Sequence, residues 1–208
     1  MATSYDTVFY DAIRAGCRRS AEVIVPLVYN EIEPASVIDV GCGEGWFGKA
    51  LEDAGCEVLG VEGDYAEPVI RVSVADLEEP GSFTGAFDLA VCLEVAEHLS
   101  PGRAHSFVAD LCVAAPVVLF SAAVPGQPGN GHVNCQWPSY WVDLFEQQGF
   151  SVSDALRWRI WDEERVEPWY RQNLLVASSR PDEPSGFFPD PLPPVRDVVH
   201  PVIWGWLR

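Results

Sequence analysis

Glu94, Glu97 and His98 stand within five residues of one another in the run Glu94-Val95-Ala96-Glu97-His98-Leu99. On a helix, positions i, i+3 and i+4 share one face, so two carboxylates and an imidazole would converge. Adjacent carboxylates repel, and something must offset them: a divalent metal, a proton or a cationic neighbour. His132 follows a Gly/Pro-rich loop, residues 124–131, that can carry it over the same place. Two Glu and two His (Glu94, Glu97, His98, His132) suit Mg2+, Mn2+ or Zn2+ with positions left open for a substrate hydroxyl. Without a metal, His98 or His132 is a candidate general base, Glu94 a pocket-lining residue, and His132 a cap for its own loop.

A second constellation lies upstream. The apolar run Val37-Ile38-Asp39-Val40 leads into Gly41-Cys42-Gly43-Glu44-Gly45, three glycines at alternate positions, and then Trp46-Phe47. Glycines at such a strand-to-helix turn permit tight turning and close approach of a ligand to the backbone. The spacing is GxGxG, not the GxGxxG of dinucleotide binders. The next apolar run, Val58-Leu59-Gly60-Val61, ends in Glu62, a carboxylate placed to accept hydrogen bonds from two ribose hydroxyls. Asp76 ends a third run and is placed to reach an adenine amino group, with Leu77 beside the ring. Alone, Asp76 reads as a turn or cap residue. Three acidic tips on three successive strands read as a nucleoside site.

The elements that must position these groups alternate. Residues 4–32 show apolar residues at three- and four-residue spacing, which predicts a helix, capped by Ser4 and kinked or split at Pro26. Strands are expected at 36–40, 56–61, 69–74, 87–93 and 116–122, and helices at 46–54, 103–114 and 137–148. Residues 150–161 and 173–178 read as a closing antiparallel pair. This alternation predicts an α/β fold with a mainly parallel sheet. Residues 1–180 read as one domain, with 1–35 as an N-terminal helical lid to which Tyr5, Phe9 and Tyr10 contribute. A Pro-rich tail, 181–208, is expected to pack through its apolar end, with Trp204 and Trp206, onto the domain or onto a partner subunit. Trp137, Tyr140 and Trp141 fall at helical spacing, and Trp158, Trp161, Trp169 and Tyr170 follow. Both core packing and stacking on an acceptor suit them.

Composition narrows the partners. The chain has 208 residues and is 48% apolar, which suits one domain with a full core. No stretch is apolar for long enough to span a membrane. Six cysteines (Cys17, Cys42, Cys56, Cys92, Cys112, Cys135) are scattered without a CxxC pair, as expected of reduced thiols in a cytoplasmic protein. A net charge of −18 argues against nucleic-acid and anionic-membrane partners; it either only keeps the chain in solution or favours a small neutral or cationic substrate. The basic clusters, Arg18-Arg19 and Arg157 with Arg159, are short. Monomer and homodimer both remain open.

The order Asp39-Val40-Gly41-Cys42-Gly43-Glu44-Gly45, then Gly60-Val61-Glu62-Gly63-Asp64, then Asp76-Leu77, then Phe87-Asp88-Leu89-Ala90-Val91-Cys92-Leu93-Glu94-Val95-Ala96-Glu97-His98-Leu99 resembles the class I S-adenosylmethionine (SAM)-dependent methyltransferases. The likeness covers about residues 36–150. It is strongest to small bacterial methyltransferase-domain proteins with a Glu-Val-Ala-Glu-His-Leu motif, and extends to 121–126, His132-Val133-Asn134 and Trp137-Pro138-Ser139-Tyr140-Trp141. The resemblance implies a Rossmann-like seven-stranded, mainly parallel sheet with an antiparallel last strand and helices on both faces. It implies SAM as cofactor, against Asp39, Gly41, Cys42, Gly43, Gly45, Glu62, Gly63, Asp76, Leu77, Leu93 and Glu94. The acid–imidazole cluster is similar to that of metal-assisted O-methyltransferases, including ubiquinone-pathway enzymes and small-RNA 2′-O-methyltransferases. The expectation is methylation of a small-molecule hydroxyl, with His98, His132 and Glu94 as catalytic candidates. Asn134, Gln136, Trp137 and Tyr140 are the candidate substrate contacts. The alternative is a SAM-binding protein of this fold that carries out a lyase- or isomerase-like step or serves as a binding partner in a biosynthetic pathway.

Overall fold

A computed structural model describes residues 7–64, 68–180, 186–189 and 192–206, with side chains in the first helix from Arg14 onward. Ser4 and Tyr5, and the side chains of Phe9 and Tyr10, lie outside the described residues. Helix α1 (Thr7–Ile32) is continuous through Pro26, neither split nor ended there. The reason is exposure. Pro26 and Glu22 both face solvent, so the carbonyl that loses its helical partner can be hydrated.

The sheet is built from β1 (Ser36–Val40), β2 (Glu57–Glu62), β3 (Val72–Val74), β4 (Leu89–Leu93), β5 (Val117–Ser121), β6 (Ser151–Ser153) and β7 (Leu175–Ser178). Their order is β3-β2-β1-β4-β5-β7-β6. The first five strands run parallel, and β7 is antiparallel to both β5 and β6. Between them lie α2 (Trp46–Asp53), α3 (Ala104–Ala114), α4 (Pro138–Gln147), α5 (Ala155–Arg159) and α6 (Pro168–Asn173), with α7 (Pro201–Trp206) last.

Strand residues alternate between two cores, as the pleat requires. Ile38, Val40, Ala90, Cys92, Val118 and Phe120 face Phe107 and Leu111 of α3 and Trp141 and Phe145 of α4. Val37, Leu89, Val91 and Leu119 face Ile24 and Val28 of α1, Phe47 and Leu51 of α2, and Leu156 and Tyr170 of α5 and α6. Both faces are covered, so the parallel strands are apolar almost throughout. Chain order reverses between β1 and β4, and the crevice above their carboxyl ends is where such sheets bind ligands.

The expected closing pair also departs from expectation. The stretch 150–161 is not a long strand: β6 ends at Ser153 and α5 begins at Ala155. Arg157 decides this. It is fully buried and turns back through an ion pair with Asp154, three residues earlier, while donating to the carbonyls of Gln172 and Arg196. An extended strand would place that guanidinium away from Asp154. The C-terminal segment is docked. Gln172 Nε2 donates to Val198 O at 2.6 Å, and its amide oxygen accepts the His200 N–H. His200 Nε2 lies 2.9 Å from Trp161 O, and Asp197 accepts both the N–H and the hydroxyl of Ser139 at the start of α4. Trp204 and Trp206 themselves stay exposed, and Ile203 is the buried apolar contact of α7.

Candidate active site

A cavity of about 730 Å3 opens at the carboxyl ends of β1, β2, β3 and β4. Its floor is the loop after β1. Gly41 and Gly45 have φ of +69° and +83°, and a Cβ at either would meet Val95 or Ile70 well inside contact distance. Only glycine makes this turn here. Asp39 does not reach for a ligand first. Its Oδ2 accepts the Gly48 N–H at 3.0 Å, tying β1 to the first turn of α2, and burial pushes its carboxyl up to about 7. Glu62 at the tip of β2 accepts the N–H of Gly43 at 2.6 Å and of Gly63 at 2.8 Å, so the acid and the glycine loop are one unit. Asp76 lines the same cavity and also makes a turn, its Oδ1 accepting the Glu78 N–H at 3.0 Å. Leu77 beside it is held by Arg103 Nε, which donates to its carbonyl at 2.9 Å. Cys42, Gly43, Gly63 and Leu93 line the cavity, whereas Gly45 stands one layer back as the residue entering α2.

Glu94, Glu97 and His98 do not share one helical face. Glu94 has φ of +56°, rare for a residue with a Cβ, and only a 3-10 turn, Ala96–His98, follows. The Glu94 N–H is fixed by the carbonyl (2.9 Å) and hydroxyl (3.1 Å) of Ser121 on β5. Its carboxylate accepts from Gln127 Nε2 at 2.8 Å and Asn173 Nδ2 at 3.0 Å. Glu94 is therefore not grouped with the other three candidate ligands. Glu97, His98 and His132 bring one ligand atom each within 4.8 Å of one another, and Glu94 stands beside them in its own amide clamp.

Within the three, Glu97 Oε1 lies 3.9 Å from His132 Nε2, and the two imidazole rings meet edge to face with centroids 4.8 Å apart. Glu97 is fully buried, and neither carboxylate oxygen has a well-formed hydrogen bond among the described residues. Burial first, and Glu94 second, push its carboxyl well above the usual range. His98 is pushed down to about 4, by burial first and by neighbouring His132 second, so it is neutral at physiological pH. His132 Nδ1 faces Gln127 O at 3.2 Å, which aims Nε2 at Glu97. The loop reaches the site because the N–H groups of Val133 and Asn134 both donate to Glu97 O, at 2.8 and 2.9 Å.

That same anchoring moves other candidates away. Asn134 is buried and bonded to Gln136 Nε2, Trp137 sits on the surface, and Tyr140 packs edge-on against Trp141; none of the four lines the cavity. In their place the wall is built from Trp169 and Tyr170 of α6, Phe47 of α2 and Cys17 of α1. Arg14 of α1 spans the loop: its Nε lies 3.0 Å from both oxygens of Glu44, and Trp46 Nε1 donates to Glu44 Oε2 at 3.0 Å. Gln127, Asn173 and Arg14 carry no sequence signal, because each acts on a residue at least 30 positions away.

A sheet in the order 3-2-1-4-5-7-6 with strand 7 reversed, carrying a glycine turn and acidic strand tips at its switch point, defines the fold of the class I SAM-dependent methyltransferases. Residues 12–108 match the family described as Methyltransferase domain. Among solved structures it is similar to a SAM-dependent methyltransferase from Archaeoglobus fulgidus. That match has 16% identity and a TM-score of 0.59, and covers 82% of this chain and 97% of that one. It is also similar to the magnesium protoporphyrin IX methyltransferase of Synechocystis PCC 6803 with bound SAM (19% identity, TM-score 0.56, 83% and 84% covered). At such identities the likeness speaks for the fold alone. A curated relative is the ubiquinone biosynthesis O-methyltransferase of Methylobacterium sp. (strain 4-46), 35% identical over 124 residues, 52% of this chain. The match spans about half the length of that relative, 47%. No helix among the described residues is long and apolar enough to cross a membrane.

Proposed function

We propose that this chain binds SAM in the cavity above β1 and β4 and transfers its methyl group to a hydroxyl of a small molecule. The observation that carries this is one cavity lined both by the Gly43–Glu62 unit and by the Glu97–His98–His132 cluster. The first suits a nucleoside, with Glu62 on the ribose and Asp76 with Leu77 at the adenine. The second suits a hydroxyl that must lose its proton. In-line displacement at the donor methyl asks mainly for positioning of the acceptor. His132, with Nδ1 against the Gln127 carbonyl and Nε2 facing Glu97, is the candidate to take the acceptor proton, whereas His98, pushed down to about 4 by burial, is the weaker base.

The cluster also fits a divalent cation such as Mg2+, Mn2+ or Zn2+. Two buried Glu97 oxygens without a well-formed hydrogen bond among the described residues, and two imidazoles, are the donors such an ion takes. A bound cation would lower the pKa of the acceptor hydroxyl. The curated O-methyltransferase relative favours oxygen as the acceptor atom.

The test is incubation of the purified chain with methyl-labelled SAM and a panel of catechols, simple phenols and sugar alcohols, with chelator or with Mg2+. The reading expects S-adenosylhomocysteine (SAH) and a methyl ether in equal amounts. Donor binding with an acceptor altered but not methylated would favour the lyase-like alternative and overturn this one.

A further inference from the structure

The Glu94 carboxylate faces the cavity and is held there by two neutral amides. Gln127 Nε2 bonds one oxygen at 2.8 Å and Asn173 Nδ2 the other at 3.0 Å. Asn173 Nδ2 also lies 3.0 Å from Gln127 Oε1, which closes a triangle. The Asn173 amide cannot be reversed without setting its oxygen against a carboxylate. That oxygen is left buried and without a hydrogen bond, so the side chain leaves one polar atom unsatisfied while its NH2 is aimed at Glu94. Among the described residues no arginine or lysine forms an ion pair with Glu94. Burial pushes the Glu94 carboxyl up, against the two amides that favour its charged form, and a cation entering the cavity is what would complement that charge.

The clamp is itself braced. Gln172, next to Asn173, has both ends of its amide bound by the backbone of Val198 and His200. Arg157 Nη1 donates to Gln172 O at 3.3 Å, and its Nη2 to Arg196 O at 3.0 Å. The C-terminal segment thus fixes the last turn of α6, from which Asn173 reaches Glu94.

We infer that Glu94, aimed by Gln127 and Asn173, reads the positive charge of the methyl donor, so that the cavity prefers SAM, a sulfonium cation, over SAH, its neutral thioether product. Asn173 is the positioning residue for this discrimination. When the S–CH3 bond breaks, sulfur keeps the electron pair and becomes neutral, and the attraction that holds the donor is lost from the product. This inference rests on the cavity being the SAM site.

Titration calorimetry of the full chain with SAM and, separately, with SAH tests it in the wild type, Glu94→Gln and Asn173→Ala. Both ligands carry the same amino-acid ammonium, so the affinity ratio isolates the sulfonium. The wild type is expected to favour SAM. Glu94→Gln should lower the ratio on the order of tenfold, through loss of SAM affinity with SAH little changed. Asn173→Ala should move the ratio the same way by less. A merely structural role would weaken both ligands in step and leave the ratio unchanged, which would overturn the inference while leaving the donor site in place. A wild type that binds neither ligand would overturn the donor reading and this inference with it.

Discussion

Glu62 Oε2 accepts the Gly43 N–H at 2.6 Å, so the acidic tip of β2 and the glycine loop after β1 are oriented by each other. Nineteen residues separate the two in the chain. On the proposed reading the same carboxylate also accepts from the ribose hydroxyls. Replacing Glu62 by Ala removes these acceptors and loosens the loop. SAM affinity should fall by about 1.5–3 kcal/mol, the usual value for hydrogen bonds to a charged acceptor. Calorimetry showing unchanged affinity would remove Glu62 from the site.

The Glu97–His98–His132 cluster makes a prediction about chelation. Methyl transfer to a sugar-like hydroxyl should fall at least about tenfold in excess chelator and return with Mg2+, Mn2+ or Zn2+. Glu97→Ala and His132→Ala should lose this response while SAM still binds. A phenol should depend on the ion less, since its own pKa is near ~10. Full activity in chelator on every acceptor, with no metal by elemental analysis, would leave the imidazoles as plain bases.

Asp39 and His98 pull stability in opposite directions with pH. Burial pushes Asp39 from its ordinary 3.8 to about 7, so the folded chain holds a proton that the unfolded chain releases. Its stabilisation is present below about pH 4 and lost as pH rises through about 7. His98 is pushed from 6.5 to about 4, so its contribution is present above 6.5 and lost as pH falls towards 4. Asp39→Asn keeps an acceptor for the Gly48 N–H and removes the first effect. Its stability should therefore gain on the wild type between about pH 5 and about pH 8. Urea unfolding at the two pH values reads this, and a constant difference between the proteins would contradict it.

Deleting residues from Arg196 onward strips the partners of the Gln172 amide, one partner of the buried Arg157, and the Asp197 contact to α4. Each buried group left unpaired costs about 1–3 kcal/mol. The melting temperature should drop by several degrees or more, with reduced solubility. A truncated chain that melts with the intact one would show the segment to be an appendage.

The strands that position the site were legible because burial on both faces writes them as apolar runs ending in Asp39, Glu62, Asp76 and Glu94. The glycine turn was legible because Gly41 and Gly45 meet positions where a side chain has no room. What escaped depends on single dihedrals and distant partners. The positive φ of Glu94 takes it out of the turn that carries Glu97 and His98, and no residue type announces that. Asn134 turns inward where the loop is tied to the Glu97 carbonyl, with half-buried Gln136 bonded to it, and spacing cannot foresee this. Arg157 carries its charge into the interior only because Asp154 and two carbonyls await it, so a β-like pattern ended as a helix.

The central claim is that one cavity holds the donor with its sulfur towards the acid–imidazole cluster. A crystal structure of the chain soaked with SAH tests it most directly. The expected density places the ribose hydroxyls on Glu62, the adenine beside Asp76 and Leu77, and the sulfur facing Glu94, Glu97, His98 and His132. A cavity without ligand at saturating SAH, or a ligand whose sulfur points away from that cluster, would contradict the account.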